Sequence, residues 1–186
     1  MEFMDVLTAR RSVRSYTPTP LDRATIEKLI HAAIQAPSAV NTQPWAFGVI
    51  TGVERLKEYG DRAKAELLAA LDQTPALERY RDMLTDPEYN LFYGAPALVV
   101  IYGKPTSLLP EIDCALAAEN LMLAAAEMNL GTCWIGFAQG FLDSPAVKAE
   151  LGVPESYKAV APIIVGHPAG PTPPVPRNTP EVVYWM

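Results

Sequence analysis

The stretch 112–137, IDCALAAENLMLAAAEMNLGTCWIGF, decides the fold of this chain. Its part 112–130 is apolar nearly all round a helix, but Asp113, Glu119, Asn120 and Glu127 would make a membrane span costly. The pattern predicts a buried helix capped by Gly131, followed by a strand over 132–137. A helix this apolar in a chain of 186 residues also favours cover by a second subunit.

Segments with strand composition flank this stretch on both sides. They are AFGVIT at 46–51, PALVVIY at 96–102 and YKAVAPIIVG at 157–166. Residues 22–36 predict a helix that begins at an Asp22 N-cap and ends before Pro37. Its apolar face would contain Ile26, Leu29, Ile30, Ala33 and Ile34. With two or three helical pieces in 53–92, the order predicts one layered domain of α and β elements over 1–186.

Composition and charge argue against several functional classes. A net charge of −6 and a pI near 4.9 disfavour nucleic acid and anionic membranes as partners. His31 and His167 fit no metal-binding spacing, so no metal site is expected. Cys114 and Cys133 are predicted to be buried free thiols. The N-terminal residues lack a signal-peptide pattern, and a cytoplasmic location is expected.

A basic cluster follows the short amphipathic segment 3–9. Arg10, Arg11, Ser12 and Arg14 present forked guanidinium donors and a hydroxyl, which suit a phosphate or a carboxylate. The cluster would follow the C-terminal end of a helix, whose dipole disfavours an anion, so the side chains must supply the attraction. The alternative is a solvated basic turn that forms surface ion pairs.

The chain ends in a proline-rich segment. Residues 168–180 contain six prolines, which favour an extended path, and the sequence VVYW at 182–185 again has strand composition. Such an arm suits docking on another subunit's sheet, and a disordered end is the alternative.

Five segments, taken in order, resemble the FMN-dependent nitroreductase family over essentially the whole chain. They are RRSVRSY (10–16), APSAVNTQPW (36–45), GAPALVVIYG (94–103), AAENLMLAAAEMNLGTCWIGF (117–137) and VPRNTP (175–180). The resemblance implies an α+β fold with a central, mostly antiparallel sheet flanked by helices. It also implies an intertwined homodimer with one FMN at each end of the interface.

The resemblance assigns the basic residues to the cofactor. Arg10, Ser12 and Arg14 match positions that hold the FMN phosphate and ribityl chain, with Arg11 beside them. Arg177 matches a late basic residue that closes on the phosphate. Relatives often carry a lysine where Val175 stands, so one phosphate contact is expected to be missing or replaced and FMN affinity to be lower, with compensation by Arg11 as the alternative.

Two further segments match positions around the flavin ring. The loop with Pro37, Ser38, Ala39 and Asn41 would reach the flavin from the partner subunit, supported by Gln43; ordinary turn bonding is the alternative for the two amides. Along the reactive edge, the N–H groups of Ile135 and Gly136 would approach flavin N5. The matched segment there also includes Cys133 and Trp134. Trp45 and Trp134 are interpreted as ring-stacking or core residues.

The resemblance implies a hydride transfer from NADH or NADPH through flavin N5 to an electron-poor acceptor. The acceptor classes are nitroaromatics, quinones and activated alkenes, and no side chain need act as acid or base. Residues 60–93 are expected to select the acceptor, with aromatic candidates at Tyr80, Tyr89, Phe92 and Tyr93. Three alternatives remain open: an FMN-binding protein without efficient NAD(P)H turnover, an enzyme of this fold that performs dehalogenation or oxygen-dependent fragmentation, and a structural dimerisation module.

Overall fold

A four-stranded sheet forms the centre of the computed structural model, which describes residues 1–186. The strands are Trp45–Thr51 (β1), Ala97–Gly103 (β2), Gly131–Trp134 (β3) and Lys158–Gly166 (β4). They lie in the order β1-β2-β4-β3, and every neighbouring pair is antiparallel. The predicted α+β fold with an antiparallel sheet is thereby confirmed.

The chain forms seven α-helices. They are Phe3–Ala9 (α1), Arg23–Ala33 (α2), Val53–Ala69 (α3), Arg81–Thr85 (α4), Pro110–Glu127 (α5), Gln139–Asp143 (α6) and Pro145–Leu151 (α7). The predicted Asp22 cap is confirmed, because its carboxylate accepts a hydrogen bond of 2.7 Å from the Thr25 N–H. None of the helices is both long enough and apolar enough to cross a bilayer.

Both faces of the two central strands are buried, and this explains their continuous apolar sequences. Successive side chains of a strand point to opposite faces. Val99 and Ile101 of β2 therefore join a core cluster with α2 and α5, in which Trp45 is also buried. Leu98 and Val100 join the cluster on the other face with α3 and α6. The two predicted free thiols are confirmed as buried and unpaired.

The junction between α5 and β3 differs from the prediction. The helix ends at Glu127, and Asn129, with a φ of +58°, takes the left-handed conformation that the prediction gave to Gly131. Gly131 instead begins β3, where a Cβ atom would lie 2.7 Å from Val13 Cγ2. The glycine therefore permits close packing of the N-terminal segment. The strand also stops at Trp134, before a 3-10 turn over Gly136–Ala138, and not at residue 137.

Four large apolar side chains of α1 and α5 are exposed. Phe3 and Met4 on α1 are 67% and 66% exposed, and Ile112 and Leu116 on α5 are 55% and 43% exposed. Large exposed apolar patches often mark interaction surfaces. We call these four side chains the α1–α5 patch; its cover by a second subunit stays a prediction.

The C-terminal segment 168–186 runs over the surface as an extended arm. It contains no helix or strand, and Trp185 near its end is 89% exposed. Within one chain the arm is attached through a backbone bridge between Pro168 and Tyr16 and through the Arg11 Nε, which donates to the Pro173 carbonyl at 3.2 Å. Pairing of residues 182–185 with another subunit stays a prediction.

Candidate functional site

The basic segment is fixed along the start of β3. The Val13 N–H donates to the Thr132 carbonyl at 2.9 Å, and Ser12 and Thr132 form an isolated parallel bridge. Because Gly131 has no side chain, Val13 packs directly on the strand. These backbone contacts, made just after α1 ends, place the arginines beside residues 132–137.

The three arginines of this segment differ in their partners. Arg10 Nε lies 3.5 Å from a carboxylate oxygen of Glu119. Arg11 donates to three main-chain carbonyls, those of Thr8, Arg10 and Pro173. Arg14 makes no hydrogen bond or ion pair with the rest of the chain. The Arg14 guanidinium is therefore the one that is free to bind an external anion.

Arg14 lines a cavity of about 280 Å³, which we call the Arg14 cavity. Its guanidinium is the only charged group in the lining. The other lining residues are Tyr89, Tyr93, Cys133, Trp134, Ile135, Gly136 and Phe137. Burial raises the pKa of the Cys133 thiol, although nearby Arg14 and a hydrogen bond with Ser12 lower it in part. The thiol is therefore neutral, and the cavity presents one positive charge to a ligand among aromatic walls.

Two tyrosines form one wall of the Arg14 cavity. The Tyr89 and Tyr93 hydroxyls lie 3.3 Å apart, and their rings meet edge to face at 5.9 Å. Burial, followed by the hydrogen bond with Tyr93, raises the pKa of Tyr89, so its hydroxyl stays protonated. Tyr93 has a φ of +53°, an uncommon conformation for a residue with a bulky side chain. Such backbone strain is often found at functional sites.

The other two aromatic candidates lie outside the Arg14 cavity. Phe92 is 0% exposed and packs in the core, where its ring lies 3.2 Å from the position of a Cβ on Gly60. The prediction that it lines the acceptor pocket is therefore wrong. Tyr80 lies behind Phe137, with ring centroids 5.0 Å apart in an edge-to-face arrangement.

The backbone after β3 offers fewer donors than expected. The Ile135 N–H donates to the Pro162 carbonyl at 2.8 Å, so this predicted donor is already used within the chain. Gly136 and Phe137 begin the 3-10 turn, whose first N–H groups have no partner within the turn. A Cβ atom on Gly136 would meet no atom within 4 Å. The open space at Gly136 leaves room for a flat ligand against the backbone.

The loop 37–43 is held in shape by hydrogen bonds between its own residues. The Ser38 hydroxyl accepts from the Gln43 N–H at 2.9 Å, and the Gln43 amide donates to the Asn41 amide oxygen at 3.1 Å. The two predicted amides thus bond to each other, as the turn-bonding alternative expects. Val40, Asn41 and Gln43 all have positive φ, and Val40 is 96% exposed. The loop, which also contains Pro37 and Ala39, projects from the chain surface.

A single chain does not bring this loop to the Arg14 cavity. The Ala39 N–H donates to the Asp113 carboxylate at 2.9 Å, at the N-terminal end of α5. Arg14 lies near β3, which follows the C-terminal end of α5. The helix rises about 1.5 Å per residue, so its ends are more than about 20 Å apart. The loop also leads into β1, at the edge of the sheet opposite to β3.

Arg177 is also separated from the Arg14 cavity. It lies exposed on the C-terminal arm with Val175, past the point where Pro173 contacts Arg11. A smaller cavity of about 250 Å³ between the arm and the basic segment is lined by Arg10, Arg11 and Thr172 among others. Arg177 does not line this cavity either, so its predicted role stays a prediction.

Asp113 is a site residue that the sequence analysis missed. Its buried carboxylate accepts from Ala39 N and, at 2.8 Å, from the Ser107 hydroxyl, and it therefore fixes the base of the 37–43 loop. The sequence analysis used this residue only as a charge against a membrane span. An acidic residue in the first turn of an otherwise apolar helix was the available signal.

Replacing Asp113 with alanine is expected to lower the free energy of unfolding by about 1–3 kcal/mol, because the Ala39 N–H and the Ser107 hydroxyl lose their buried acceptor. Asp113→Asn keeps one acceptor oxygen and should lose less. Urea unfolding measures both. Asp61→Ala, which removes an exposed partner of Lys57, is the matched control and should change stability by less than about 0.5 kcal/mol. Equal losses at positions 113 and 61 would contradict the anchoring role.

Comparisons with known proteins agree on one family. The model of the nitroreductase family matches residues 7–167. Nitroreductase NfnB of Mycolicibacterium smegmatis is 28% identical, with 87% of this chain and 81% of that protein covered. An FMN reductase [NAD(P)H] of Bacillus subtilis is 27% identical, with 98% and 72% covered. A crystal structure of a nitroreductase with bound FMN from Bacteroides fragilis superposes with a TM-score of 0.82 at 27% identity, covering 100% of this chain and 98% of that chain.

Proposed function

Because the chain belongs to the nitroreductase family, we propose that it is an FMN-dependent oxidoreductase that uses NADH or NADPH to reduce an electron-poor acceptor. The acceptor is a nitroaromatic, a quinone or an activated alkene. The observation that carries the proposal is the Arg14 cavity, where an unpaired guanidinium lies beside aromatic walls and open space over Gly136. The names of the relatives, an NAD(P)H-dependent FMN reductase among them, support it.

The residues present fit FMN, which combines a dianionic phosphate with a flat ring. Arg14 and the neighbouring Ser12 hydroxyl would hold negative charge, since a guanidinium binds a phosphate through charge-assisted hydrogen bonds. The Arg10 guanidinium would also bind the phosphate once it separates from the Glu119 carboxylate. The N–H groups of Gly136 and Phe137 would bind the ring edge. When bound, FMN supplies the two-electron chemistry that side chains lack.

We further propose that the active unit is a homodimer in which the partner's 37–43 loop completes the site. The loop projects from its own chain and lies far from its own Arg14 cavity. The α1–α5 patch provides exposed apolar surface for a partner. The proline-rich arm extends over the surface with its terminal VVYW unpaired, while β1 is an edge strand with one free side. Both features favour exchange of the arm between subunits.

The chain's own residues then act by binding and electrostatics. With FMN bound, the positive charge of Arg14 would stabilise negative charge on the cofactor. The aromatic walls exclude water from the reacting groups, which strengthens that interaction. The Tyr89 hydroxyl stays protonated and can donate a hydrogen bond to an acceptor oxygen. No lining side chain has the properties of a general base at neutral pH.

The visible spectrum of the purified protein tests this proposal under anaerobic conditions. We expect a flavin spectrum that bleaches when NADH or NADPH is added and returns when a quinone or a nitroaromatic follows. Bound flavin that neither donor bleaches would overturn the reductase and favour an FMN-binding protein. A protein that binds no flavin in excess FMN would overturn the site assignment.

A further inference from the structure

A second cavity adjoins the Arg14 cavity. It has a volume of about 330 Å³ and lies between α3 and α6, under the segment 71–80. Gly136 and Phe137 line both cavities. The rest of the lining is mostly apolar and includes Leu67, Ala70, Leu77, Gly140 and Phe141. We call this space the Phe137 chamber.

The boundary between the two cavities is one glycine and one aromatic ring. The Phe137 ring is held by its edge-to-face contact with Tyr80. Apart from chain neighbours and the helix backbone, no atom lies within 4 Å of the position that a Cβ would take on Gly136 or Gly140. The two cavities share Gly136 and Phe137, so a ligand bound against the Gly136 backbone would lie next to the chamber.

The chamber carries one charged side chain, the carboxylate of Glu66 on α3. No arginine or lysine lines the chamber. Arg62, which stacks on the Phe141 ring, is paired with Glu150, and Arg81 is paired with Asp72 and Glu78, while Arg79 stacks on the Tyr80 ring. An anionic substituent in the chamber would therefore meet a like charge and no cation in the lining. Apolar walls with a lone carboxylate favour a neutral apolar group.

We propose that the Phe137 chamber is an acceptor subsite that takes the neutral fused ring of a bicyclic quinone. This rests on the proposed function, and it makes Gly140 a specificity-determining residue. The overall reaction balances as NAD(P)H, a proton and the quinone giving NAD(P)⁺ and the hydroquinone. The chamber takes no part in the electron transfer; it binds the ring that does not react and so favours two-ring acceptors over one-ring acceptors.

The test uses a pair of quinones that differ only in the fused ring, 2-methyl-1,4-naphthoquinone and 2-methyl-1,4-benzoquinone. Gly140→Leu places an apolar side chain in the chamber, starting from a Cβ position that has no atom within 4 Å apart from chain neighbours and the helix backbone. We expect it to lower kcat/KM for the naphthoquinone at least tenfold and to change the value for the benzoquinone less than twofold. Ala65→Leu, at an exposed position of α3 outside the chamber, should change neither. Naphthoquinone binding to the oxidised holoenzyme, followed by quenching of protein fluorescence, should weaken in parallel.

The possible outcomes distinguish failure of the subsite proposal from failure of the proposed function. A wild-type protein that reduces neither quinone would overturn the proposed function. Active protein whose Gly140→Leu variant keeps its naphthoquinone kcat/KM, or loses both quinones equally, would overturn the chamber alone. Slower reduction of the flavin by NADH in that variant would assign the chamber to the donor and also overturn the proposal. Glu66→Gln should raise kcat/KM for a naphthoquinone sulfonate severalfold relative to the neutral naphthoquinone; an unchanged ratio would contradict the charge argument.

Discussion

Arg14→Ala is expected to weaken FMN binding by about 10- to 100-fold, the loss that one charge-assisted hydrogen bond of about 1.5–3 kcal/mol represents. The guanidinium has no partner in the protein, so its removal leaves folding stability nearly unchanged. The substitution is therefore expected to lower the affinity for FMN and not the stability of the fold. Titration of the apoprotein with FMN, followed by flavin fluorescence, measures the change in Kd.

Two further variants make the Arg14 result specific. Arg14→Lys keeps the charge but not the forked geometry, so its Kd should lie between those of the wild type and the alanine variant. Arg55→Ala removes an equal charge from an exposed position of α3 that lines none of the cavities described above, and should change Kd less than twofold. If Arg14→Ala bound FMN as tightly as Arg55→Ala does, the site would have to be placed elsewhere.

Gly166→Ala is expected to lower the free energy of unfolding by at least about 1–3 kcal/mol, the usual range for overpacking in a dense core. The new Cβ would lie 2.5 Å from Pro96 Cδ and 3.0 Å from Tyr16 Cδ1. The proline ring cannot rotate away, so the end of β4 or the start of β2 must shift. Thermal unfolding should show a Tm lower by several degrees, since about 2–4 °C corresponds to each kcal/mol at this chain length.

The effect of Gly166→Ala should reach the basic segment. Gly166 pairs with Gly131 across β3 and β4, and the Tyr16 ring beside it belongs to the segment that contains Arg14. We therefore expect weaker FMN binding together with the lower Tm. Gly170→Ala places a methyl group where no atom lies within 4 Å, and it serves as the matched control. Equal Tm values for the two variants would contradict the packing seen at Gly166.

Local patterns predicted most of the regular structure. The apolar run at 96–102 corresponds to β2, and Asp22 caps α2 as expected, because each signal depends on neighbours in sequence. The wrong prediction of a helix cap at Gly131 has a different cause, a contact with a residue that is distant in sequence. The need for glycine there comes from Val13, more than a hundred positions earlier, whereas Asn129 can adopt the left-handed conformation on its own.

The site was predicted less completely, because it also depends on contacts between residues that are far apart in the sequence. The sequence indicated the anion-binding segment and its neighbour 132–137, but it did not distinguish a free Arg14 from an Arg11 that binds carbonyls. The use of the Ile135 N–H by Pro162 and the anchoring of the 37–43 loop by Asp113 are contacts between distant parts of the chain. The first contact leaves no pattern in the sequence, and the only trace of the second is an acidic residue in the first turn of an otherwise apolar helix.

The separation of the 37–43 loop from the Arg14 cavity, at opposite ends of α5, has a consequence for assembly. In the proposed dimer each site draws on both chains, so flavin affinity and subunit affinity are thermodynamically linked, and each strengthens the other by the same factor. Dilution that separates the subunits then releases flavin. A mixed dimer of one chain defective at Arg14 and one defective in the loop collects both defects in one site and leaves the other site intact.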